Sequence, residues 1–152
     1  MSPMKAGKWF VLSLALLVSL VGIIGSPVMA LAQSKIYWTH INDPSGPGFN
    51  EIERANLDGT GLEEVLTGLT EPVGIALDVA AGKMYWTDDS DSKIRRANLD
   101  GTGVEELVTG LLNPTGIALD VAGGKMYWAN PNAAKVQRAN LDGTGVEDLF
   151  IG

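Results

Sequence analysis

Lys83-Met84-Tyr85-Trp86-Thr87-Asp88 carries apolar or aromatic side chains in both of its alternating positions. Successive strand residues point to opposite faces, so Met84 and Trp86 share one face while Tyr85 and Thr87 share the other. A sheet with one wet face would alternate apolar with polar residues, so this strand requires cover on both sides. Its flanks extend the pattern. Upstream, a proline turn at Glu71-Pro72 precedes the β-rich run Gly74-Ile75-Ala76-Leu77-Asp78-Val79, and Ala80-Ala81-Gly82 turns the chain. Downstream, the polar loop Asp89-Ser90-Asp91-Ser92 leads into a third strand, Lys93-Ile94-Arg95-Arg96-Ala97-Asn98-Leu99. Asp100-Gly101-Thr102-Gly103 is a strong hairpin signal because glycine tolerates positive φ. Val104-Glu105-Glu106-Leu107-Val108 then reads as a half-polar outer strand.

This unit is written nearly three times. Asn56-Leu57-Asp58-Gly59-Thr60-Gly61 recurs at 98–103 and at 140–145, an interval of 42 residues each time. Residues 55–86 and 97–128 differ at only seven positions, and most of those exchanges preserve apolar or small character. A period of about 40–45 residues is the length of a four-stranded propeller blade. Blades stacked side by side cover both faces of each inner sheet, which a lone sheet cannot do. Residues 35–69 supply three strands, residues 70–111 four and residues 112–152 four.

Tyr37-Trp38-Thr39-His40, Tyr85-Trp86-Thr87-Asp88 and Tyr127-Trp128-Ala129-Asn130 resemble the YWTD motif of low-density lipoprotein receptor class B repeats. The downstream Ile-x-Arg-x-x-Leu-Asp-Gly pattern is similar too, with Ile52, Arg54, Leu57, Asp58 and Gly59 in the first copy. Ile94, Arg96, Leu99, Asp100 and Gly101 repeat it, and Val136 and Arg138 precede Leu141-Asp142-Gly143 in the third. The resemblance implies an all-β chain of about three four-stranded blades, part of a six-bladed propeller, and the amino-terminal residues add a signal helix before it. It further implies extracellular binding of other proteins, with the motif itself acting as scaffold. His40 and Asn130 replace the motif's Asp, and Ala129 replaces its Thr, so the hydrogen bonds of those groups are open at the outer copies.

Six closed blades need about 24 strands, four to a blade. An arc of three blades leaves two apolar faces in water, and such patches mark association surfaces or aggregation hazards. A homodimer closing a pseudo-six-bladed ring is one expectation. A truncated or degenerate fragment, or an arc that stays open, is the other.

The amino terminus reads as an export address. Lys5 and Lys8 precede the uncharged, largely apolar run 9–25, Pro27 follows, and Ala30-Leu31-Ala32 offers small residues where a signal peptidase cuts. Residues 1–32 are the expected signal peptide and 33–152 the mature repeat domain, secreted or periplasmic. The alternative is an uncleaved membrane anchor, the one route by which this chain would meet a membrane.

Composition removes several functions. The 152 residues hold 11 Lys and Arg against 18 Asp and Glu, a formal net charge of -7, which disfavours nucleic acid as a partner. With no Cys there is no disulfide, thiolate chemistry or cysteine metal site. One His, His40, precludes a multi-His metal centre and leaves a catalytic triad without partners. No cofactor or metal is expected. Arg54, Arg96 and Arg138 recur with the repeat and are expected to pair with carboxylates. Glu63-Glu64, Glu105-Glu106 and Glu147-Asp148 recur likewise and read as solvated strand faces. Asp88-Asp89-Ser90-Asp91-Ser92 has oxygen ligands for Ca²⁺ but lacks the glycine and bidentate Glu of an EF-hand loop.

What breaks the repeat is the better guide. Tyr37 to Arg54 is six residues longer than Tyr85 to Arg96, and the surplus falls in Ile41-Asn42-Asp43-Pro44-Ser45-Gly46-Pro47-Gly48-Phe49-Asn50. Loops on a rigid scaffold carry binding residues, and Phe49 is the one aromatic available there as an anchor. Phe49, His40 and Asp43 are the candidate binding residues, with His40 also a pH sensor or a tolerated change of motif. The leading reading is an exported, non-enzymatic scaffold binding a protein or carbohydrate at the cell surface. A propeller enzyme of lactonase or lyase type, or a structural fragment without a ligand of its own, are the alternatives.

Overall fold

The computed structural model describes residues 34–41 and 50–151. The expected signal segment and the 42–49 stretch, with Asp43 and Phe49, lie outside the described residues. Among the described residues, eleven strands form three antiparallel sheets. The first sheet is β1 (Lys35–His40), β2 (Asn50–Asn56) and β3 (Glu63–Leu69). The second is β4 (Pro72–Asp78), β5 (Lys83–Asp88), β6 (Lys93–Asn98) and β7 (Glu105–Thr109). The third is β8 (Ile117–Asp120), β9 (Lys125–Asn130), β10 (Lys135–Asn140) and β11 (Glu147–Ile151), with a 3-10 turn at Pro131–Ala133. Each sheet is a meander whose strands neighbour one another in chain order. The protein is all-β, built of sheets arranged as propeller blades.

β5 has the bounds its sequence predicts, and all five residues from Met84 to Asp88 are buried. Burial on both faces is what its apolar load required. The flanking motif strands show half of this. In β1 only Tyr37 and Thr39 are buried, whereas in β9 it is Met126, Trp128 and Asn130. Those are opposite parities, so the first blade is covered on one side and the third on the other.

Two apolar interfaces follow. Tyr37 and Ile52 of the first blade pack on Ile75, Met84, Trp86 and Ala97 of the second. Tyr85, Ile94, Val108 and Leu111 of the second pack on Ile117, Met126, Trp128 and Ala139 of the third. The same outgoing face meets the same incoming face both times, because the same sequence builds each.

Some strand ends differ from the sequence expectation. β4 starts at Pro72, two residues before the predicted Gly74, because proline is tolerated as the first residue of a strand and the register slips between Pro72 and Ile75. β6 stops at Asn98, one residue before Leu99, since Asn98 opens the turn by accepting from Gly101 N–H at 2.9 Å. β7 runs from Glu105 to Thr109, one residue later than predicted; Val104 belongs to the turn and is exposed.

Candidate functional site

Most chemistry-bearing residues of the repeat are spent on joining blades. Tyr37 Oη and Arg54 Nη1 both donate to the Leu99 carbonyl of the next blade, at 3.1 and 3.0 Å. Arg54 also pairs with Glu63 at 2.6 Å. Arg96 repeats the arrangement with the Leu141 carbonyl at 3.1 Å and Glu105 at 2.6 Å. Arg138 keeps its pair with Glu147 at 2.8 Å. The guanidinium hydrogen bonds hold the Glu63 and Glu105 carboxyls below their ordinary range. The motif threonines reach across as well: Thr39 Oγ1 donates to the Val73 carbonyl at 3.0 Å, and Thr87 Oγ1 to that of Thr115 at 2.6 Å.

The fourth motif position tells the blades apart. Asp88 accepts from Glu71 N–H at 3.0 Å and from Arg95 Nη1 at 2.6 Å. Arg95 also meets Asp91, so a guanidinium occupies the acidic cluster Asp88–Ser92 that offers oxygen ligands for Ca²⁺. Asn130 accepts at 3.0 Å from Leu112 N–H, one repeat position before the counterpart of Glu71, so the amide ties the same turn by a neighbouring bond. His40 does something else. The β1–β2 register sets it directly opposite Glu51 and sets Trp38 opposite Glu53. Its Nδ1 lies 3.1 Å from Glu51 Oε1 and 3.3 Å from Glu53 Oε2. Trp38 Nε1 donates to Glu53 Oε2 at 2.8 Å.

Burial, and then the carboxylates of Glu53 and Glu64, push the Glu51 carboxyl above its ordinary range, against the opposing pull of His40. Of the three candidate binding residues, the structure thus places His40 beside two glutamates, while Asp43 and Phe49 fall outside the described residues. Sequence reasoning missed Glu51 and Glu53. The available signal was the repeat itself, which has Lys93 and Arg95 at the two equivalent positions.

The sheets and their contacts define a run of propeller blades. Residues 82–121 match the family described as low-density lipoprotein receptor repeat class B. Over 54 residues it is 43% identical to mouse low-density lipoprotein receptor-related protein 5 and 41% to the human protein. That match takes in 35% of this chain and 3% of either relative, so the chain spans a small part of the curated relatives it resembles. Among solved structures, a chain of a nidogen/laminin complex superposes with a TM-score of 0.69 at 35% identity, over 76% of this chain and 43% of that one. A putative TolB from Agrobacterium tumefaciens has the same fold, with a TM-score of 0.63 at 18% identity over 76% of this chain and 45% of that one. So does virginiamycin B lyase from Staphylococcus aureus, at 0.58 and 20% over 77% and 38%.

Proposed function

We propose that this chain is an exported, non-enzymatic propeller-type scaffold that binds another protein at the cell surface. One observation carries the reading: Tyr, Thr, Arg and Glu of the repeat are taken up in contacts within and between blades. The first copy also differs in length, its β1–β2 connection carrying six extra residues. The likeness to a chain from a nidogen/laminin complex supports a protein partner, and residues 1–32 support export. The test compares proteins cross-linked to the exported chain with those cross-linked to Asp43→Ala/Phe49→Ala, quantified by mass spectrometry. A specific protein recovered by the wild type and depleted at least about tenfold with the variant, the loss of one hot-spot contact, is expected. Recovery independent of the loop overturns the reading. The exported species should begin at Gln33.

A second reading concerns assembly, and opposed open faces favour it. Ile94 and Val108 are 0% and 7% exposed where the third blade covers them, but the equivalent Val136 and Phe150 are 39% and 63% exposed. The first blade leaves the complementary parity of β1 open, on the side of Ile36 and Trp38. A second copy would therefore dock its first blade on the third blade of its partner, reusing the internal interface twice to close a ring. Native mass spectrometry should find a dimer, and Phe150→Asp a folded monomer. A wild-type monomer at micromolar concentration refutes this assembly.

A further inference from the structure

We propose that His40, Glu51 and Glu53 bind a divalent transition-metal ion of the Zn²⁺ type, through one imidazole nitrogen and two carboxylate oxygens. Each residue offers one ligand atom, and the three atoms lie within 4.8 Å of one another. A tetrahedral Zn²⁺ with bonds of about 2.0–2.2 Å separates its ligand atoms by about 3.3–3.5 Å. The observed 3.1 and 3.3 Å from Nδ1 to the two carboxylates stand close to that spacing. The cluster lies on a strand ladder rather than a loop, so its spacing is set by β-sheet register.

The repeat supplies the second, independent argument. In the second blade the equivalent cluster is Asp88, Lys93, Arg95 and Glu106, in which two anions face two cations at contact distance. In the third it is Asn130, Lys135, Gln137 and Asp148: Asn130 donates to Gln137, Gln137 donates to Asp148, and Lys135 pairs with Asp148 at 2.7 Å. Each of these clusters holds cations of its own, Lys93 and Arg95 against Asp88, Asp91 and Glu106 in the second blade and Lys135 against Asp148 in the third. In the first blade both basic positions have become glutamate, and His40 stands where Asp88 stood. His40, Glu51 and Glu53 have side chains only 12–13% exposed, and two carboxylates removed from water need a compensating cation. A divalent ion neutralises Glu51 and Glu53 together while leaving the imidazole uncharged as a ligand should be. The nitrogen ligand selects Zn²⁺ over Ca²⁺, which takes six to eight oxygens. Trp38 Nε1, fixed on Glu53 Oε2, holds one ligand oxygen from behind.

The experiment measures Zn²⁺ retained by the purified chain after gel filtration, and the thermal midpoint with Zn²⁺, with Ca²⁺ and with chelator. One zinc per chain and a midpoint raised by Zn²⁺ and returned by chelator are expected, with Co²⁺ giving the visible absorption of a four-coordinate site. The triple change His40→Asp, Glu51→Lys, Glu53→Arg installs the residues of the second blade and should fold without taking up zinc. Should that variant not fold, His40→Asn and Glu53→Gln, changes of one ligand each, must lose the metal separately. A wild type that retains no zinc, prefers Ca²⁺, or is matched by the single variants overturns the assignment.

Discussion

Truncation of Trp86 to alanine lowers the unfolding free energy by about 3–5 kcal/mol, while the same change at Trp38 costs less than half as much. The two residues hold the same position in the motif, and local propensity cannot separate them. Their surroundings do. Trp86 is completely buried between the first and second blades, against Tyr37 and Ile52. Trp38 lies on the open side of β1, half-buried, with its indole N–H on Glu53. Removing Trp86 leaves a cavity between two sheets that are each pinned by their own hydrogen bonds, so little of the void can collapse. A domain of ordinary stability, about 5–15 kcal/mol, loses a large share of it. Trp86→Phe separates volume from hydrogen bonding: Trp86 Nε1 has no acceptor among the described residues, so the phenyl ring forfeits volume alone and stays well short of the alanine cost. Urea unfolding in a Phe150→Asp background, where no second copy covers β1, gives the comparison. Equal losses at Trp86 and Trp38 would mean that the blades do not pack as seen.

The blade was legible in the sequence because its signals are local or periodic. The two-faced composition of Lys83–Asp88, the glycine-bearing turn before β7 and the 42-residue interval together give strands, pairing and order. The expected Arg–Glu pairs are also present, since Arg54 and Glu63 lie opposite one another on paired strands. What the sequence withheld is what the rotation between blades decides. That Arg54 also reaches the Leu99 carbonyl depends on how the second sheet is set against the first, 45 positions along the chain. The His40 cluster was hidden for a different reason. Glu51 and Glu53 fall on the far side of the six-residue expansion, and only strand register brings them back to His40. Reading the repeat by its departures as well as its matches exposes them, because a Lys and an Arg turned into two glutamates is a change of function at a fixed place.

The glycine of the Asn-Leu-Asp-Gly-Thr-Gly turn looks like an ordinary turn residue in all three copies, and the largest backbone prediction comes from the fact that it is not. Gly59 and Gly101 have nearly the same φ, +80° and +86°. Alanine at either site suffers the left-handed penalty, about 1–2 kcal/mol. At Gly101 an added Cβ would stand 2.3 Å from the Val65 carbonyl oxygen of the preceding blade, and at Gly143 it would stand 2.3 Å from that of Leu107. At Gly59 nothing among the described residues lies within 4 Å. The turn is therefore a wedge seated against its neighbour's backbone. Gly101→Ala must push two blades apart, adding about 1–3 kcal/mol of overpacking to the dihedral term. Gly59→Ala pays the dihedral term alone in a single copy. If two copies close a ring, however, Gly59 faces the Leu149 carbonyl of the partner subunit, as Gly143 faces Leu107. The alanine there should then leave the monomer nearly as stable as its φ permits and still abolish the dimer. Unfolding free energies for Gly59→Ala and Gly101→Ala, with native masses for both, read the wedge and the assembly in one experiment. Equal destabilisation at the two sites refutes the wedge, and a Gly59→Ala dimer as tight as the wild type refutes its use between copies.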